Sequence, residues 1–312
     1  ISSESEFRQC IRIQDDFSYH ASRNTLWKIQ SVDLEKRKLS ARPTGPKDKD
    51  APPKQFDLTP ATEVILGNGF GSLEDIKPGQ EMLMNLPTAR SRQAEFHPDE
   101  WAARVELAAC YRVFAHLGWT EMIYNHITVR LPDSVTGGQK HFLINPFGLH
   151  YTEVTASNLV KIDLQGRVLD GSPYPVNPAG FVVHSTLHDG IEGAHCVMHT
   201  HTTAGVAVAC LQGGLQQTNF YSAQLHDMVA YHDFEGITIH LEEGPRVLQS
   251  IGRKPAVILR NHGLLSWGQT LPQTFAILWT LQRACEIQMA TLSMGAPIPV
   301  SEAIAAKCTR DA

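Results

Sequence analysis

Apolar and polar positions recur along this chain with two different periods, and each change of period marks an element. The stretch HPDEWAARVELAACYRVFAHLGW opens with acidic residues and carries Trp101, Val105, Ala108, Tyr111 and Phe114 at spacings of three and four. That spacing predicts an amphipathic helix facing a core, ended by Gly118. MIYNHITVRLP then alternates, Ile123, Ile127 and Val129 against Tyr124 and Thr128, which predicts a strand. HFLINP reads as its hairpin partner across the polar turn PDSVTGGQK. Helices are predicted over about residues 180–188 and 204–211, in PRVLQSIG, and over about 271–294. Strands are predicted over 195–199, in GITIHL and in AVILRNHG. Strands and helices interleave, but short neighbouring strands suggest hairpins. The fold class that follows is α/β, with helices on the faces of a mixed, largely antiparallel sheet.

The periodicity weakens before Phe96. Around KRKLSARPTGPKDKDAPPK the chain is basic and Pro-containing, the composition of an extended, solvated segment. Residues 1–95 are therefore expected to form an N-terminal extension, either a flexible tail or an arm lying across a partner or a neighbouring subunit. The folded domain is expected over 96–300, with a C-terminal tail over 301–312.

Composition narrows the classes further. Apolar residues make up 42% and charged residues 19% of 312, ordinary for a globular protein, and no apolar run approaches the roughly 20 residues of a membrane span. A net charge of -5 gives no general attraction to nucleic acid. The six cysteines are scattered without a C-x-x-C pair, which argues for free thiols in a reducing compartment and against a cysteine zinc site. The expected location is the cytoplasm or, if the start at Ile1 reflects processing, the mitochondrial matrix.

The candidate chemistry lies in the histidines. In AHCVMHTHTTAGVAVACL, His199 and His201 stand two apart at the end of an apolar run. On a strand such residues project to one face, so both imidazoles can reach one ion. With fifteen histidines in the chain, an H-x-H pair alone has little specificity. A third candidate, His262 in ILRNHGLLSWG, also closes an apolar strand, and Gly263 permits the tight turn that exposes it. Three such histidines make an open site for Zn²⁺, Fe²⁺ or Mn²⁺; the alternative is ordinary capping or core histidines. His184 and His188 lie four apart, on one face of the helix predicted near Gly180, as a site wall or as plain helix surface.

Taken together, the ordered blocks GWTEMIYNHITVRLP, HFLINPFGLHYTEVTASNLVKIDLQGRV, PVNPAGFVVHSTLH, HCVMHTHTTAGVAV, MVAYHDFEGI and ILRNHGLLSWG resemble the class II aldolase/adducin family. The likeness is closest to the adducin head domain and its small bacterial relatives, and it covers about Phe96 to Pro299. It implies a three-layer α/β/α fold, a tetramer with sites between subunits, and a divalent metal, zinc first, on His199, His201 and His262. It also shows two departures. The family's acid/base glutamate, four residues before the helix histidine, is replaced by Gly180, and that group is typically worth 10²–10⁴-fold. At the phosphate-binding positions stand His126, Asn145 and Gly148, with Phe147 in place of a threonine; phenylalanine cannot donate to a phosphate. The resemblance thus points to an oligomerisation or docking subunit that has lost sugar-phosphate aldolase chemistry. The alternative is a metal-dependent lyase or oxygenase for a small non-phosphorylated carbonyl or carboxylate compound, with His126, His184, His188 and Tyr231 as acid/base groups.

Overall fold

The computed structural model describes residues 26–44, 51–58, 64–66, 69–83, 92–236 and 241–311. The chain divides into two compact units, one spanning Tyr19–Arg90 and the other containing Ser91–Ala312.

The first unit corrects the expectation of an extended tail. Strands β1 (Leu26–Asp33), β2 (Lys38–Pro43), β3 (Lys54–Asp57) and, after the short pair β4 (Val64–Leu66) and β5 (Gly69–Gly71), β6 (Glu81–Leu83) are present. Four of them form an antiparallel sheet in the order β3-β2-β1-β6. Its core holds Trp27, Ile29, Leu39, Ala41, Leu58 and Ile76. In KLSARP, Leu39, Ala41 and Pro43 turn inward while Lys38 and Arg42 face solvent. The basic residues thus occupy the solvent positions of a period-two strand, an order that composition does not register. Residues 45–50 of the basic stretch lie outside the described residues.

The second unit is built on a seven-stranded sheet. Its strands are β7 (His126–Arg130), β8 (His141–Ile144), β9 (Val160–Asp163), β10 (Cys196–Thr200), β11 (Val229–His232), β12 (Ala256–Leu259) and β13 (Gly263–Gly268). Their order is β11-β12-β13-β10-β7-β8-β9, and only β11 and β12 run parallel. The helices are α1 (Pro98–His116), α2 (Asp133–Thr136), α3 (Pro178–Gly190), α4 (Thr203–Ala209), α5 (Phe220–Gln224), α6 (Gly244–Ile251), α7 (Leu271–Met294) and α8 (Glu302–Asp311). On one face Cys196, Met198, Ala256, Ile258 and Leu264 pack with Tyr111, Phe114, Val208 and Leu278 of α1, α4 and α7. On the other, Val197, Val257, Leu259 and Leu265 meet Val183 and Leu187 of α3 and Val247 and Ile251 of α6. The mixed three-layer α/β/α arrangement is the predicted one.

Several local expectations need correction. The β7–β8 hairpin forms, but its connection contains the helical turn α2. The inward stripe of α1 uses Arg104 and Leu107, and Val105 is exposed. Strands β9 and β11 have only four residues each, too few for a period test, and β13 is buried at five of its six positions, so it shows no alternation. Most of the strand predicted in GITIHL lies outside the described residues. The expected C-terminal tail is instead largely α8, with Ala305 fully buried and the Thr309 hydroxyl 3.2 Å from the Ala223 carbonyl oxygen.

Candidate metal centre

Three strand ends meet on the α3 side of the sheet. His199 is the fourth residue of β10, paired across to His126 on β7 and to Leu265 on β13. His201 follows at the strand's end, and Thr202 then caps α4 by accepting from the Gly205 N–H. His262 sits in the tight β12–β13 connection, where Asn261 adopts a positive φ of 57°, a conformation asparagine tolerates better than most residues. A Cβ on Gly263 would stand 2.3 Å from the Thr200 carbonyl oxygen. That close approach is what N-H-G supplies: it brings β13 against the end of β10 and His262 over the H-x-H pair.

One ring nitrogen from each of His199, His201 and His262 lies within 4.8 Å of the others. Nε2 of His199 and Nε2 of His201 are 2.5 Å apart. His199 donates through Nδ1 to the Leu264 carbonyl oxygen at 2.8 Å, so its Nε2 lone pair faces the centre. The His201 N–H donates to Asn125 Oδ1 at 2.7 Å. Burial and the neighbouring imidazoles hold His199 well below its ordinary pKa and bring His262 down to about 4; burial also lowers His201. Neutral imidazoles with converging lone pairs are the form in which histidine ligates a metal. The donor set therefore fits a divalent cation of zinc type with room for a further ligand.

A second histidine group lies beside the first. His126 Nδ1 is 2.8 Å from His184 Nε2, and Thr128 Oγ1 is 2.7 Å from both His184 Nδ1 and His188 Nε2. His188 Nδ1 reaches the Ala194 carbonyl oxygen at 2.5 Å. The His126 ring packs 4.3 Å from that of His184 and 5.1 Å from that of His199, centroid to centroid. It also fills the space in front of Gly180, where an added Cβ would stand 2.7 Å from His126 Cδ2 and 2.8 Å from Nε2. The bare Cα at 180 and the imidazole at 126 exclude each other's alternatives: a side chain at 180 would take the space of the ring.

That exclusion is testable by stability. Gly180→Ala is expected to displace the His126 ring at a cost of about 1–3 kcal/mol, as overpacking does. Combined with His126→Ala it should cost less than the two changes summed, because the clash is gone. Strict additivity in denaturant unfolding would disprove the exclusion.

The remaining predicted residues divide. Asn145 is buried with Oδ1 2.8 Å from the Tyr111 hydroxyl, which also accepts from the Ile127 N–H; this pins β7 beside His126. Gly148 holds a positive φ of 102° in the loop after β8. Tyr231 is not brought to the histidines: its ring packs on the α7 side of the sheet, under Arg260, and its hydroxyl accepts from the Leu215 N–H. Sequence reading overlooked Thr128, Asn125 and the Leu264 carbonyl, none of which carries a motif. It also overlooked Glu243, 3.2 Å from His232, with which it lines a small cleft beside His262.

Comparison with known proteins establishes the family. The family model described as Class II Aldolase and Adducin N-terminal domain matches residues 105–289, more than half of the chain. The chain belongs to the class II aldolase and adducin family. It is 46% identical over 210 residues to a Caulobacter vibrioides protein whose name places it provisionally with the class 2 aldolases, covering 67% of this chain and 80% of that one. It is 46% identical to mouse alpha-adducin over 62% of this chain but only 26% of that protein. Among solved structures, an aldolase II superfamily protein from Pseudomonas syringae is 40% identical with a TM-score of 0.67, covering 72% of this chain and 90% of that one. Among the described residues, no helix of this family member is long and apolar enough to cross a membrane.

Proposed function

We propose that His199, His201 and His262 hold a divalent cation, zinc before Fe²⁺ or Mn²⁺, and that the site carries out metal-dependent lyase-type chemistry on a small, non-phosphorylated carbonyl or carboxylate compound. The observation that carries this reading is the convergence of three neutral imidazoles, one of them locked by the Leu264 carbonyl. A cation held there would supply Lewis-acid polarisation of a substrate oxygen. The chain's own residues orient the ligands and set the His126 ring against Gly180, the position at which the family resemblance expects a carboxylate. Phosphorylated sugars fit poorly, since Asn145 is engaged by Tyr111 and Phe147 offers no donor.

A second reading, an oligomerisation or docking subunit of adducin-head type, is favoured by one surface. Met289, Leu292, Met294, Ile298 and Ile304 are exposed along the end of α7, the segment after it and the first turn of α8. Apolar side chains left exposed together suit an interface, either within a homo-oligomer, a tetramer by family resemblance, or with a larger assembly. Light scattering should report an oligomer, and a monomer at all concentrations would remove the homo-oligomeric form of this reading.

The metal reading is tested by elemental analysis after incubation with Zn²⁺ and gel filtration. About one ion per chain is expected, with loss in both His199→Ala and His262→Ala. Absence of metal in the unaltered protein would end it.

A further inference from the structure

The hydrogen bonds behind the triad form an unbranched line with a fixed end. The Ala194 carbonyl oxygen can only accept, so His188 donates to it through Nδ1–H and keeps a bare Nε2. Thr128 must then donate its O–H to His188 Nε2 and accept from His184 Nδ1–H. His184 is left with a bare Nε2, which accepts from His126 Nδ1–H. One proton sits in each of these four contacts. His126 is thereby assigned a bare Nε2, which lies 2.8 Å from where a Cβ on Gly180 would stand. We propose that this line is a tautomer lock, and that His126 Nε2 is the fixed acceptor for a hydroxyl of the ligand bound at the triad, with Thr128, His184 and His188 as positioning residues. The ligand class that follows is a hydroxy-carbonyl or hydroxy-carboxylate compound: one oxygen goes to the cation site and an O–H goes to His126.

Two further facts support the assignment. His126, His184 and His188 are all buried, which lowers their pKa and keeps each ring neutral; a neutral ring is the form with one donor and one acceptor nitrogen. And Nδ1 is the only atom of the His126 ring engaged in a hydrogen bond among the described residues. A locked acceptor matters because an imidazole free to change tautomer offers its lone pair at a given nitrogen only part of the time. The choice of ligand class rests on the metal reading, whereas the lock does not.

The test uses the full chain, metal-free and ¹⁵N-histidine-labelled, with long-range ¹H–¹⁵N correlation of the imidazole rings. Single Nδ1–H tautomers are expected for His188, His184 and His126. In Thr128→Val the His188 tautomer should persist, held by Ala194, while His184 and His126 change to mixtures; Thr128→Ser should restore the single forms. A His126 ring protonated at Nε2 in the unaltered protein overturns the lock, even if Thr128→Val fails to fold. So does a Thr128→Val spectrum with His126 unchanged. Failure of the unaltered protein to take up Zn²⁺ would strike the metal reading and leave the tautomer result standing. In the Zn²⁺-loaded protein, glycolate should perturb the His126 signals and acetate should not; equal effects would overturn the hydroxyl assignment.

Discussion

Replacing Arg104 with alanine is expected to cost about 3–5 kcal/mol, enough to remove much of the stability of a typical domain. Its guanidinium is fully buried on α1, where a helical pattern alone puts an apolar residue. It donates to Glu100 and Asp170 at 2.8–2.9 Å and to the Leu159 carbonyl oxygen at 2.7 Å, and it lies 3.8 Å over the Phe96 ring. Lys161 closes the group at 2.9 Å from Glu100. Among the described residues, removing the arginine leaves the Asp170 carboxylate with only the backbone N–H groups of Lys161 and Ser172, and Glu100 with only Lys161, in an interior that solvates them poorly. The worth of the intact group against an apolar replacement is small, so the loss measures abandonment of partners. Arg104→Ala combined with Asp170→Ala should therefore cost well under the sum of the single changes. Denaturant midpoints decide it; a loss below about 1 kcal/mol for Arg104→Ala would show that the charges find other solvation.

Arg104 also shows where sequence reading stops. The α1 pattern gave the helix and, through Ala108, Tyr111 and Phe114, part of its buried face, yet it assigned Val105 where the fold uses Arg104. The choice depends on Asp170 and on the loop carbonyls, more than fifty residues away. The triad was legible for the opposite reason. H-x-H and N-H-G carry their geometry locally: a period-two strand end, a positive φ at Asn261, a close approach at Gly263. His126 was legible as a departure from a phosphate-binding position and as an acid/base candidate, but its place against Gly180 was not, because that depends on register. It stands across from His199 and against Gly180, and neither neighbour is near it in sequence. The basic N-terminal stretch misled in another way, since charge content was weighed without the alternation that buries Leu39 and Ala41. Tyr231 was taken with the site from its block, and the pleat of β11 turns it to the other face.

Acidification is expected to unfold the metal-free protein well above the carboxylate range. His188 is buried, which takes its pKa from 6.5 to about 3, and burial with the neighbouring His188 and His199 holds His184 well below its ordinary value. In the unfolded chain both titrate near 6.5. Below that pH the unfolded state takes up protons that the folded state refuses, so folding stability is full above about 6.5 and falls as pH falls towards 3. At pH 5 the loss is roughly 2 kcal/mol from His188, and His184 adds to it in the same direction. The structural reason is the line of hydrogen bonds: a proton on His188 Nε2 would meet the Thr128 O–H as a second donor, and one on His184 Nε2 would meet His126 Nδ1–H. Denaturant midpoints between pH 7.5 and 5 should fall steeply, and His188→Gln should flatten the slope although it costs stability at pH 7.5. A profile flat to pH 5 would mean that these rings accept protons in place, and the directionality assigned to the whole line would go with it.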